Sequence, residues 1–283
     1  MPHVELRGAE VDGLRLHYVT EGRGPAVVLV HGLGGFAQSW RHNIPALARV
    51  ATVFALDLPG FGLSAKPPGR YGLVDSARAL HGFIHAMGLD RVAIVGHSLG
   101  GAVGLTYALM HPVRVERIGL LGALVPGSSY RPSVPYRVAA TPLLGELLAL
   151  CGCAPVYRAA ISRCFHAPVA AEIDFLVREG YAARTSPEAK AAYLATLRDV
   201  RRDVLDHASD YRRALATLEA PVLLIHGQQD GVVAADHSRE AAEVLPQATV
   251  RWIDGCGHFP QIEHAEIVNS WLTEFLVGRP APR

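Results

Sequence analysis

The stretch VAIVGHSLGGAVGLTYALMHP, residues 92–112, decides how the rest of the chain is read. A short apolar run enters Gly96-His97-Ser98-Leu99-Gly100, and a longer apolar run continues to His111-Pro112. A short apolar run closed by glycine suits a strand buried on both faces. The longer run suits a helix that stops before a proline. Ser98 then sits at the seam between strand and helix, flanked by glycines, as a nucleophile elbow requires. In so tight a turn a side chain at 96 or 100 would strike neighbouring backbone. Gly100 and Gly104, four residues apart, leave that helix free to approach the sheet.

Moving outward, the same alternation repeats. LRLHYVTEG (14–22) alternates like a half-exposed strand, and AVVLVHG (26–32) and ATVFALDLPG (51–60) read as buried strands. Leu73, Ala77, Leu80, Ile84 and Met87 recur at helical spacing. RVERIGLLGAL (114–124) contains another strand. From about Val125 to Leu215 no buried strand follows. Tyr193, Leu197, Val200 and Val204 share one helical face there, and TPLLGELLALCG also reads as helix. Strands resume with APVLLIHG (220–227) and ATVRWIDG (248–255), and a last helix carries Val268, Trp271, Leu272 and Phe275. The pattern predicts an α/β core, residues 1–125 and 214–283, with a helical insertion at 126–213. Strands alternating with helices build a mostly parallel sheet covered on both faces. Ligands of such sheets bind beyond the carboxyl ends of the strands.

The totals exclude several classes. The 283 residues carry 27 basic and 26 acidic side chains, for a net charge of +1. That balance gives no electrostatic footprint for nucleic acid. No run approaches the ~20 apolar residues needed to span a bilayer, and the start, MPHVELRGAEVDG, has no signal-like apolar core. Cys151, Cys153, Cys164 and Cys256 lack paired metal spacing. They are expected to be reduced thiols in a cytoplasmic protein. No metal and no cofactor is expected.

The polar residues at strand ends supply the chemistry. A serine hydroxyl needs a base within hydrogen-bond reach. Of 14 histidines, His258 in GCGHFPQIEHAE has the best position, after a predicted strand and before the last helix. His31, His97 and His226 adjoin glycines at strand ends and are read as structural. A carboxylate must hold the base in one tautomer. Asp230, in LLIHGQQDGVV, follows the penultimate strand, while Asp236 is read as a helix start. Asp57, in DLPGFGLSAKP, is read as a brace for the loop beside it, and the arginines around 198–213 as a solvated helix face. Two backbone donors are needed for an oxyanion. The candidates are the amides of Leu99, at a helix start, and Leu33, in HGLGG (31–35), with Gly34 as second choice.

Taken together, HGLGG, DLPGFGLS, GHSLGG, HGQQD and GHFPQIE resemble the α/β-hydrolase fold superfamily over nearly the whole chain. The resemblance implies an eight-stranded, mostly parallel sheet and a helical cap inserted after the sixth strand. It places the nucleophile, acid and base roles on Ser98, Asp230 and His258. Epoxide hydrolases and haloalkane dehalogenases of this fold have aspartate at the elbow, where this chain has Ser98. The leading expectation is a serine hydrolase that cleaves a small to medium, largely apolar carboxylic ester through an acyl-enzyme. The alternatives are a C–C bond hydrolase, a lactonase, an acyltransferase, or a receptor-like protein with a slow site. C–C hydrolases usually carry a Gly-Pro-Gly type oxyanion loop. HGLGGFAQSW lacks that proline, which ranks C–C cleavage below ester cleavage.

Overall fold

The computed structural model describes residues 2–8, 11–129, 134–151 and 153–278, the side chains of residues 135 and 148–151 excepted. Its strands are β1 (His3–Glu5), β2 (Arg15–Gly22), β3 (Ala26–Val30), β4 (Thr52–Leu56), β5 (Val92–His97), β6 (Val115–Leu121), β7 (Val222–Gly227) and β8 (Ala248–Ile253). They form one eight-stranded sheet in the order β1-β2-β4-β3-β5-β6-β7-β8. The pairs β1/β2 and β2/β4 are antiparallel. All later pairs are parallel. This is the expected mostly parallel sheet. Strand β1, only three residues long, is the one strand that periodicity does not reveal.

The central strands read as continuous apolar runs because both of their faces are covered. Val28, Val30, Ile94, Leu120 and Leu224 pack into one buried cluster. Their neighbours along the same strands, Val27, Leu29, Val95, Leu121 and Leu223, pack into another. The first cluster is completed by α2 (Leu73–Ala86) and α3 (Leu99–Met110), which follows Ser98 and ends before Pro112. The second is completed by α1 (Ile44–Leu47) and the last helix, through Val268 and Leu272. Removing a fully buried Leu or Ile here to Ala costs about 2–5 kcal/mol.

Between β6 and β7 the described residues form helices and no strand. They are α4 (Val134–Ala140), α5 (Leu144–Cys151), α6 (Ala154–Ser162), α7 (Ala170–Ala182), α8 (Pro187–Asp206) and α9 (Ala208–Leu215). The remaining helices are α10 (Ala235–Val244), α11 (Pro260–Glu263) and α12 (Ala265–Val277). Leu197, Val200 and Val204 form the buried face of α8. Two carboxylates fasten α8 to the core. Gly72, the N-cap of α2, has no side chain to satisfy the first amides of that helix. Asp203 accepts from the Leu73 N–H at 2.7 Å, and Asp199 accepts from the Tyr71 N–H at 2.9 Å. The other side of the insertion is fastened by Arg41, which pairs with Glu172 of α7 and lies 3.8 Å above the Phe175 ring. Among the described residues no helix is long and apolar enough to cross a membrane.

Candidate active site

Ser98 stands between β5 and α3 with φ 51° and ψ −119°, a conformation that L side chains rarely adopt. The surroundings enforce it. The Ser98 N–H donates to the Leu121 carbonyl, and the Ser98 carbonyl accepts from Gly101 and Leu124, each at 3.0 Å. A Cβ at Gly96 would lie 2.4 Å from the Gly100 carbonyl oxygen, and one at Gly100 would lie 2.1 Å from that of Val30. Both glycines are therefore obligatory for the approach of strand, turn and helix. The Ser98 side chain makes no capping bond to α3, and Ser98 lines a cavity.

His258 lies in the loop after β8, and Asp230 in the loop after β7. His258 Nδ1–H donates to Asp230 Oδ2 at 2.8 Å, with both residues buried. The other carboxylate oxygen accepts from the Val232 and Val233 amides at 2.8 and 2.9 Å. His226 Nε2 adds a contact to Oδ2 at 3.2 Å. Burial opposes ionisation of Asp230, but the charge of His258 and the bonds from His226 and His258 outweigh it. Its carboxyl is held well below the usual range. Asp230 thus presents a permanent negative charge to one ring nitrogen of His258. Ser98 and His258 line the same cavity of about 150 Å³.

The two residues expected to supply backbone donors lie beside Ser98. Leu99 is the first residue of α3, where an amide has no intrahelical acceptor. Leu33 follows Gly32 in a turn closed by the Gly35 N–H donating to the Gly32 carbonyl at 2.9 Å. Both residues border a second, smaller lobe of about 60 Å³, lined also by Ser98, Leu124, Leu197, Val200 and Val233. The two lobes meet at Ser98 and Leu33.

The residues read as structural have structural partners. His31 Nδ1–H donates to the Gly32 carbonyl at 2.7 Å, and its Nε2 accepts from the Leu58 N–H at 3.0 Å. His97 Nε2–H donates to the His258 carbonyl at 2.7 Å. Burial and the charge of His258 hold the His97 imidazole at about 3, so it is neutral at ordinary pH. His226 meets the Val233 carbonyl and Ser238. Asp57 accepts from Ala37 N–H at 2.5 Å and Leu63 N–H at 2.7 Å and meets His17 at 2.8 Å. It braces the glycine-rich loop and lies outside the cavity. Asp236 falls in the first turn of α10. Of the arginines in 198–213, Arg198 is partly buried and donates to the Ala140 carbonyl. The thiols of Cys153, Cys164 and Cys256 are free; that of Cys151 lies outside the described residues. Among the described residues no group of three His, Cys, Asp or Glu could hold a metal ion.

One residue of the cavity escapes sequence reasoning. Arg184, after α7, lines the same lobe as Ser98 and His258. Its guanidinium lies 4.1 Å from the Tyr193 ring centroid and 4.8 Å from that of Tyr157. A Cβ at Gly34 would come within 2.9 Å of Arg184 Nη1, which puts the cation against the glycine-rich loop. Among the described residues no carboxylate pairs with it; the groups around it are the two tyrosines. A cation held this way is a ready receptor for an anionic group brought by a ligand.

Comparison with known proteins gives the same fold and adds chemistry. A family model described as alpha/beta hydrolase fold matches residues 25–148 and 179–265. The 2-hydroxy-6-oxo-6-(2'-aminophenyl)hexa-2,4-dienoic acid hydrolase of Metapseudomonas resinovorans is 31% identical over 278 residues, covering 96% of this chain and 91% of that one. The 2-hydroxy-6-oxo-2,4-heptadienoate hydrolase of Pseudomonas putida is 29% identical, covering 92% of this chain and 93% of its own. Among solved structures, the 2-hydroxy-6-oxo-6-phenylhexa-2,4-dienoate hydrolase of Rhodococcus sp. strain RHA1 superposes with a TM-score of 0.81 at 28% identity, covering 98% of this chain and 99% of that one.

Proposed function

The chain belongs to the α/β-hydrolase fold family, and from that membership we propose that it hydrolyses a carbon–carbon bond beside a ketone in a small, acidic 2-hydroxy-6-oxo-dienoate. The observation that carries this reading is Arg184, a cation without a carboxylate partner in the cavity of Ser98 and His258. A neutral ester gives such a cation nothing to bind, whereas a dienoate carboxylate does. The names of the three similar hydrolases reported above specify this substrate class. This replaces the expectation of ester cleavage as the leading reading. The missing proline in HGLGG is a weak discriminator, because an oxyanion donor is a backbone N–H and its side chain is indifferent to the chemistry.

In the proposed reaction the 2-hydroxyl proton moves to C5, so that C5 can leave as a conjugated enolate. Ser98 Oγ attacks the C6 carbonyl while His258 takes its proton. Asp230 orients His258 and stabilises the imidazolium. The Leu33 and Leu99 amides hold the oxyanion. The C5–C6 bond breaks, its electron pair passes through the alkene to the C2 oxygen, and the dienol leaves with a proton from His258. Water, activated by His258, then releases the acyl group from Ser98 as a carboxylic acid. One water is consumed, and no metal or organic cofactor takes part.

The two lobes divide the substrate. The dienoate lies toward Arg184 and the C6 substituent enters the smaller, mainly apolar lobe, whose lining also includes Thr196 and Arg201. At about 60 Å³ that lobe is the smaller of the two, against about 150 Å³ for the lobe of His258, which favours a small C6 substituent. The heptadienoate, with a methyl at C6, is therefore the preferred substrate over its 6-phenyl counterpart. The helical insertion, residues 126–213, serves as the cap, since Tyr157, Arg184 and Tyr193 come from it. The three free thiols suit a reducing cytoplasm.

The test is direct competition of chemistries. Turnover of the heptadienoate is followed by loss of its conjugated absorbance, beside p-nitrophenyl acetate and butyrate, with Ser98→Ala as control. Heptadienoate kcat/KM is expected to exceed that of either ester, and Ser98→Ala to abolish both. Fast ester hydrolysis with an untouched dienoate would restore the esterase reading. Full activity in Ser98→Ala would remove serine from the reaction.

A further inference from the structure

The loop that carries His258 is held from the insertion as well as from the core. The Gly257 N–H donates to Glu263 Oε1 at 3.0 Å, and the Phe259 N–H reaches the same oxygen at 3.3 Å. Between them, the His258 N–H donates to the Cys164 carbonyl at 2.7 Å. The second Glu263 oxygen, Oε2, accepts from the His166 N–H at 2.8 Å. Cys164 and His166 lie in the turn between α6 and α7. That turn is seated directly on the loop. The Phe165 and Phe259 ring centroids are 4.9 Å apart. A Cβ at Gly257 would stand 2.6 Å from both the Cys164 carbonyl oxygen and the His166 nitrogen.

We infer that Glu263 is a positioning residue that makes the basicity of His258 depend on the seating of the 164–166 turn. This rests on His258 being the base, as proposed above. Asp230 comes from the loop after β7 and is anchored by Val232 and Val233, independently of the insertion. The imidazole must be brought to it. Glu263 fixes the amides on either side of His258 with one oxygen and the turn with the other. When the turn lifts, the His258 amide loses its acceptor and Glu263 loses its third donor. The imidazole can then retreat from its 2.8 Å contact with Asp230, and a base without its carboxylate is weaker. Cap seating and base strength thus move together, and water activation is confined to the closed molecule.

Cys164, Cys256, His97 and Asp230, which also face this loop, stay silent between pH 5 and 9. Burial pushes the Cys164 thiol up to about 12, and burial likewise pushes Cys256 up. His97 titrates only near 3. His166 contributes its amide, with its side chain at the surface, and Asp230 remains ionised throughout.

The experiment measures the rate at which a fluorophosphonate labels Ser98 from pH 5 to 9, a readout that needs no natural substrate. The parent rate is expected to rise with pH as one group loses its proton. In Glu263→Ala the midpoint should move down by at least half a pH unit and the plateau should fall about tenfold. Glu263→Gln, which keeps one acceptor oxygen, should lie between the two. Phe165→Ala, which loosens the turn and leaves Glu263 in place, should displace the midpoint in the same direction and is read if Glu263→Ala does not fold. A lowered melting temperature with an unmoved midpoint and plateau would reduce Glu263 to a structural residue and overturn the inference alone. A parent that is not labelled at Ser98 would refute the serine reading and this inference with it.

Discussion

Replacing Arg184 with methionine keeps an unbranched side chain between Tyr157 and Tyr193 and removes the charge. The loss is bounded from the structure. At 4 Å and an effective dielectric of about 20, a carboxylate and a guanidinium attract by about 4 kcal/mol, a ceiling before desolvation. Charge-assisted hydrogen bonds measured by mutation are worth about 1.5–3 kcal/mol. The guanidinium is already stacked 4.1 and 4.8 Å from two rings and has no internal carboxylate to exchange for the substrate. Most of the interaction should therefore appear as binding. The heptadienoate should lose roughly 10- to 150-fold in kcat/KM. Since the carboxylate is charged in both substrate and transition state, the loss should fall on KM, with kcat nearly unchanged. Hydrolysis of p-nitrophenyl acetate should change less than twofold. Arg184→Lys, which keeps the charge but not the stacked plane, should lie between. Steady-state kinetics on both substrates decide it. An equal loss on ester and dienoate would mean Arg184 only supports the cavity, and an unchanged dienoate KM would place the carboxylate elsewhere.

Two further outcomes concern stability. Gly100→Ala sets a Cβ 2.1 Å from the Val30 carbonyl oxygen; it should cost about 3 kcal/mol or more and lower the melting temperature by about 6–12 °C, as scanning calorimetry would show. His97 is held at about 3 in the folded protein, against an ordinary 6.5, so the unfolded chain takes up a proton first as pH falls. Its contribution is complete above pH 6.5 and declines by about 1.4 kcal/mol per pH unit below it. His31 and His237, also lowered, chiefly by burial, act in the same direction. Urea unfolding between pH 7 and 4.5 should show a shallower decline in His97→Gln than in the parent, and equal slopes would refute the assignment.

The core of this molecule is legible because its strands are buried on both faces, so that Val27-Val28-Leu29-Val30 is one apolar word. Ser98, Asp230 and His258 stand at strand ends, where a parallel sheet gathers its loops. The structure brings Asp230 and His258 into contact and puts Ser98 on the same cavity. Arg184 is illegible for the converse reason. Of its neighbours, Gly34 and Tyr157 come from distant segments and Tyr193 from the helix that follows, and the lack of a carboxylate partner exists only in space. A lone arginine in the polar stretch ARTSPEA carries no such signal. Glu263, within GHFPQIE, gives no signal in the sequence, since its partners Gly257, Phe259 and His166 are backbone amides without side-chain identity. The ranking of ester above C–C cleavage rests on a proline in a loop, which says little when the loop acts through its amides.

The grip on His258 from the turn between α6 and α7 is a main-chain oxygen, that of Cys164. Any of the twenty residues supplies the same atom, so selection at this position acts on the path of the chain and is blind to its spelling. Side-chain scanning would pass over it in silence, while inserting or deleting one residue in the turn would slide the carbonyl out of reach. A lid of unrelated sequence grafted onto this core would keep this one grip on His258 provided that one oxygen arrives at the same place.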